Sequence, residues 1–125
     1  MSIGSDNDRP LHLRLEVVAF HDRPPEKQNV CIFSEQGGSI GRSDENDYVL
    51  PDTESVISRT HVLIDYANAD YFLIDQSTNG TFVNDSPNRL EPGEKYRVND
   101  GDRILIGNYL VVASLIAADS PLDST

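Results

Sequence analysis

Apolar residues in this chain come in short groups. Leu11-His12-Leu13-Arg14-Leu15-Glu16-Val17 alternates apolar with other residues at period two, the pattern of a strand with one face buried and one in water. Further short apolar or alternating runs recur at 30–33, 39–41, 48–50, 61–65, 71–75, 81–83, 95–98, 103–106 and 109–115, bounded by Gly, Asn, Asp and Pro. Nowhere does an apolar i, i+3, i+4, i+7 pattern persist for three turns, so no helix is predicted. Two pairs of runs read as hairpins. Residues 104–106 and 109–111 are joined by Gly107-Asn108, a two-residue connection whose residues tolerate positive φ. Residues 61–65 and 71–75 flank a slightly longer loop, 66–70. Ten or eleven short strands in this spacing predict an all-β fold, a β-sandwich.

The length, 125 residues, suits one domain with a real core. The ends differ from the rest. Residues 1–9 are polar, and 117–125, AADSPLDST, are small, acidic or proline. Both are expected to be flexible, the second reading as the start of a linker, which leaves 10–116 as the folded domain. No apolar run approaches the roughly 20 residues that span a bilayer. MSIGSDNDRP is neither a secretory signal nor a basic transit peptide, so a cytoplasmic location is the default expectation. Cys31 stands alone, which rules out an intrachain disulfide and a cysteine-based zinc site; within Val30-Cys31-Ile32-Phe33 it reads as a small core residue.

The charge narrows the partners. Asp and Glu outnumber Lys and Arg by 21 to 10, a net charge of -11, which opposes nonspecific nucleic-acid binding and attraction to anionic membranes. Of the basic residues only Lys27 and Lys95 are lysines. Arginine grips oxyanions through a fork of donors, whereas lysine mainly supplies charge, so a local anion site on an acidic surface fits this composition.

Three loops carry the candidate chemistry. Gly41-Arg42 ends a short strand, where glycine permits close backbone approach and a guanidinium projects from the turn. Ser58-Arg59-Thr60-His61 stands at the mouth of an apolar strand. Asp75-Gln76-Ser77-Thr78-Asn79-Gly80-Thr81 is rich in hydroxyls and amides, with Asn-Gly as a turn signal. Together Arg42, Arg59, Ser58 and Thr78 form a donor set suited to a dianionic phosphate. Asn79 offers both donor and acceptor to a passing peptide backbone. Ser58 and His61 lack a third, orienting carboxylate at a recognisable spacing, which disfavours hydrolysis. The acidic clusters 43–47 and 99–102 lack the twelve-residue ligand spacing of a calcium-binding loop, and no metal is expected. A carbohydrate-binding sandwich is disfavoured by the absence of Trp and of an aromatic platform in the three loops.

These motifs, in this order, resemble the forkhead-associated (FHA) domain, a phosphothreonine-binding sandwich of two packed sheets. The likeness covers residues 11–115 and includes Gly41-Arg42, Asn46-Asp47, Ser58 to His61, Asn79-Gly80-Thr81 and Asn99-Asp100-Gly101-Asp102. It implies a noncatalytic module without cofactor. Arg42, Ser58 and Thr78 would contact the phosphate, Arg59 would also reach it, and Asn79 would hydrogen-bond the peptide main chain. Gly41, His61 and Gly80 would be structural. The partner implied is a protein threonine-phosphorylated by a serine/threonine kinase. The long loop in IGRSDENDYVLPDTESVISRTH, with LHLRLEVV and LIGNYLVVASL, looks most like the N-terminal FHA domain of proteins associated with bacterial type VI secretion. The rival reading is a structural adaptor that uses the same loop face without phosphate.

Overall fold

The computed structural model describes residues 11–117. These form ten strands: β1 (Leu11–Phe20), β2 (Val30–Phe33), β3 (Gly38–Gly41), β4 (Tyr48–Val49), β5 (Val62–Ala67), β6 (Asp70–Asp75), β7 (Thr81–Val83), β8 (Lys95–Arg97), β9 (Arg103–Ile106) and β10 (Tyr109–Ala117). No helix occurs among the described residues. One sheet runs β2-β1-β10-β9-β7, the other β4-β3-β5-β6-β8. Every pairing is antiparallel except that of β3 with β4. The all-β fold of two sheets is thus the one the strand spacing predicts.

Period-two alternation decides what each sheet turns inward. In β1 the buried positions are Leu13, Leu15 and Val17; in β10 they are Tyr109, Val111 and Ala113. Ile40, Val62, Ile64, Tyr71 and Leu73 answer from the second sheet. Together these residues form one core between the layers. Cys31 packs against this core only half-buried, opposite Leu15 at the sheet edge.

Three strand boundaries lie two or more residues from the alternation pattern. β1 runs past Val17 to Phe20 because Val18 is a bulge: Val17 pairs with Val111 and Ala19 with Leu110. The extra residue reverses the inward–outward phase, so the sequence pattern stops while the strand continues. The 66–70 loop is a tight turn instead. Tyr66, Ala67 and Asp70 belong to the strands, and Asn68 and Ala69 both take positive φ, 53° and 69°. Ala117, assigned from sequence to the tail, closes β10 opposite Leu11. The expected flexible stretches 1–9 and 118–125 lie outside the described residues.

Candidate functional site

Strands β3, β5, β6 and β9 deliver their loops to one end of the sandwich, where hydrogen bonds join them. The Arg42 backbone N–H donates to the Ser58 carbonyl at 3.1 Å, and the Thr78 N–H donates to Ser58 Oγ at 3.0 Å. Asn79 Nδ2 donates to the Val56 carbonyl at 3.0 Å. The three sequence-derived loops are therefore one surface.

Close approach at this end depends on Gly41. A Cβ there would run into the Arg59 carbonyl and the Asn46 side-chain nitrogen, backbone and bound amide that have no room to retreat. Asn46, itself buried, donates from Nδ2 to the carbonyls of Ser43 and Arg59, at 2.8 and 2.6 Å. It ties the β3–β4 loop to the loop that leads into β5. Asp47 turns back to accept from the Ser39 N–H at 2.9 Å. Asp52 organises the same β4–β5 loop from within. Its carboxylate accepts from the Glu54 and Ile57 N–H groups at 2.9 and 2.7 Å. Desolvation works against its charge, but these backbone donors and the Arg42 guanidinium outweigh that and hold its carboxyl below the usual range.

His61 is fully buried between the loops. Its Nδ1 receives the Ser58 N–H at 3.1 Å, so Nδ1 is the acceptor and the ring proton sits on Nε2, which faces the Gly80 carbonyl at 2.9 Å. Burial lowers the His61 pKa, outweighing the Gly80 carbonyl and Asp75, which favour the proton. The ring is a neutral strut joining two loops.

A carboxylate holds the β6–β7 loop. Asp75 is wholly buried, yet Oδ1 accepts from Ser77 Oγ at 2.6 Å and Thr81 Oγ1 at 2.8 Å, while Arg89 Nη2 meets Oδ2 at 2.6 Å. Burial raises its pKa, but the bonds from Ser77, Arg89 and Thr81 overcome that, and the carboxyl stays below the usual range. Arg89 also donates to the carbonyls of Ser77 and Thr78, at 2.9 and 3.3 Å, and Ser77 Oγ accepts the Gly80 N–H at 2.7 Å. Gly80 has φ 103°, a conformation open to glycine and strained for other residues.

On this frame the sequence-derived donors stand as follows. Arg42 is half-buried, and only its Nε finds an acceptor among the described residues, the Ile57 carbonyl at 3.0 Å. The bond fixes the guanidinium and leaves its terminal nitrogens without an acceptor among the described residues. Ser58 Oγ accepts from the Thr78 N–H, while its own O–H donates to no described residue. Thr78 and Asn79 are exposed, and Asn79 retains its carbonyl oxygen and one N–H after bonding Val56. Arg59 is exposed; its carbonyl, which accepts from Ser43 at 3.2 Å, ties its backbone beside Arg42, while its side chain makes no hydrogen bond to a described residue. Sequence reasoning did not assign roles to Asp75, Arg89 and Asp52. Asp75 was detectable: Tyr71, Leu73 and Asp75 share the inward phase of β6, and a carboxylate at a core position demands partners. Nothing in the sequence marked Arg89.

Comparison with known proteins agrees with the geometry. The family model described as "FHA domain" matches residues 38–107, more than half of the chain. The Caenorhabditis elegans protein "Germ layers disorganized gldi-3" is 37% identical over 95 residues, covering 66% of this chain and 10% of that protein. The chain spans between 10% and 26% of the length of the curated relatives it matches. A solved FHA domain studied for phosphothreonine-dependent interactions is similar at 27% identity and TM-score 0.66, over 82% of this chain and 95% of its own. The yeast Dun1 FHA domain, solved with a doubly phosphorylated peptide from Rad53, shares the fold at 24% identity and TM-score 0.65, over 90% of this chain and 79% of its own. With sheets, loops and family model in agreement, this chain belongs to the FHA domain family.

Proposed function

We propose that the chain is a noncatalytic module that binds threonine-phosphorylated peptide segments of a partner protein at the joined loop end. The carrying observation is the state of the donors. Arg42 is fixed through Nε with its terminal nitrogens left over, beside a Ser58 hydroxyl whose oxygen is already engaged and whose proton is therefore available. Arg42, Ser58 and Thr78 hold the phosphate, Arg59 adds charge from the rim, and Asn79 bonds the peptide main chain. Gly41, His61 and Gly80 keep the loops in register. Charge-assisted hydrogen bonds contribute about 1.5–3 kcal/mol each, and two or three of them give affinity in the micromolar range once ordering costs are met. Loops already bonded to one another lower those costs. The solved relative with phosphothreonine-dependent interactions supports the same ligand class. The net charge of -11 favours partners whose flanks are neutral or basic. The likeness of the long β4–β5 loop, of β1 and of the β9–β10 ending to type VI secretion-associated FHA domains supports placing the partner, the product of a serine/threonine kinase, in that machinery in the bacterial cytoplasm.

Titration with a phosphothreonine peptide library, beside matched phosphoserine and unphosphorylated peptides, tests this. Saturable binding that requires the phosphate, and that weakens at least about tenfold in Arg42→Ala and in Ser58→Ala, is the expected outcome. Partner binding that ignores the phosphate and survives Arg42→Ala would establish the adaptor reading in its place.

A further inference from the structure

The outer face of the first sheet carries an apolar strip that the phosphate loops do not use. Phe82 pairs with Leu105, Leu105 with Leu110, and Leu110 with Ala19, so four residues stand side by side across β7, β9, β10 and β1. Their chain neighbours Val83, Ile104, Ile106 and Val111 point into the core, which turns the strip outward. The bulge at Val18 is what brings Ala19 onto this face, since the inward phase of Leu13, Leu15 and Val17 would otherwise have turned it in. Leu105 is 39% exposed, and a groove of about 390 Å³ lies over the strip.

Two features say what would fill the groove. The first is continuity. A smaller hollow of about 180 Å³ is lined by Asn79 and Gly80 from the loop end and by Phe82, Leu105 and Asn108, which also line the groove. A chain leaving Asn79 thus finds an unbroken path onto the strip. The second is charge. Asp22 and Asp85 stand on the rim, and the one cation there among the described residues, Arg103, is already paired with Asp85 at 3.0 Å.

We propose that the groove takes a flank of the phosphorylated partner itself: an apolar side chain seated on Leu105 and Phe82, followed by a lysine or arginine facing Asp22 and Asp85. The inference rests on the phosphopeptide reading of the loop end. The strip spans three inter-strand spacings, roughly 14 Å, which an extended segment of about five residues covers. The groove then supplies selectivity that the phosphate contacts lack, because any phosphothreonine satisfies Arg42 and Ser58.

The test uses the tightest short phosphothreonine peptide from a library, extended on either side with a Leu-Lys dipeptide placed at successive positions, and with Ser-Glu as control. The variant is Leu105→Asp, an exposed substitution whose folding is checked by urea denaturation. One Leu-Lys extension is expected to bind about tenfold tighter than the short peptide, as burial of one leucine side chain predicts, and the gain should vanish in Leu105→Asp while short-peptide affinity stays. Extensions that add nothing on either side, or a gain that survives Leu105→Asp, overturn the groove and leave the phosphate site standing. Failure of every short phosphopeptide overturns both. Self-association that Leu105→Asp abolishes would assign the groove to a second copy of the chain and equally overturn the proposal.

Discussion

The two loops that meet at His61 are held in opposite ways. The β6–β7 loop is fastened from inside, with Asp75 fully buried and Arg89, Ser77 and Thr81 converging on its two oxygens. The β4–β5 loop is longer and lies mostly in water. Separate hydrogen bonds spread along its length hold it, among them two from Asp52 within and others from Asn46 and Asn79 alongside, and Ser55 takes a φ of 61° on the way. One loop is over-determined by a buried charge network; the other is stitched at separate points. The phosphate site proposed at this end would then have a rigid wall carrying Thr78 and Asn79 and a more adjustable one carrying Ser58 and Arg59.

Removing the buried clamp should break this contrast most severely. Arg89→Met keeps the apolar bulk of the side chain but leaves the Asp75 carboxylate buried without its cation. The expected loss is about 3–5 kcal/mol in urea denaturation, the cost typical of an orphaned buried charge. Phosphopeptide affinity should fall with it, since the Ser77 and Thr78 carbonyls also lose their donor. A loss below about 1 kcal/mol would mean that the hydroxyls of Ser77 and Thr81 suffice to carry the charge.

His61 couples the two walls, and pH probes that coupling. Its folded pKa lies below the ordinary 6.5, so below that pH the unfolded chain binds the extra proton more readily than the folded one. Stability should therefore decline as pH falls through about 6.5, with a slope approaching about 1.4 kcal/mol per pH unit for one proton. Protonation would also put a second N–H against the Ser58 N–H, where an acceptor is needed. Asp75 and Asp52, both held below the usual carboxylate range, keep their charge in this window and do not contribute to the slope. Urea midpoints between pH ~7.5 and ~5.5 measure it, free of the phosphate's own second proton near pH 6. The slope should flatten in His61→Gln; an unchanged slope there would assign it to another group.

Much of this architecture is written in the sequence as period two. The strands, the inward faces of β1 and β10, and the three loops all follow from where apolar residues alternate and where Gly, Asn and Asp interrupt them. The same rule, applied to Tyr71-Phe72-Leu73-Ile74-Asp75, places Asp75 in the core. What it misses are events that change phase or come from afar. The Val18 bulge extends β1 without an alternation to follow. The positive φ of Ala69 gives a tight turn where the residue type signals none. Arg89 reaches Asp75 from a loop beyond β7, a pairing set by the folded chain and by no local pattern.

The smallest effect sharpens the comparison most. Asp52→Ala removes the acceptor for the Glu54 and Ile57 N–H groups, at a site partly open to water that can replace it, so the expected global cost is only about 1 kcal/mol. Its consequence should be local. Amide exchange at Glu54 and Ile57 should quicken while the Gly80 N–H, held by Ser77 Oγ, keeps its protection. Ser58 follows Ile57 directly, and the Arg42 Nε rests on the Ile57 carbonyl, so phosphopeptide affinity should fall by more than the stability loss accounts for. Exchange that rises equally in both loops would show that they open as one cooperative unit. The rigid wall and the adjustable wall would then be a single body, with His61 as a rivet in place of a strut.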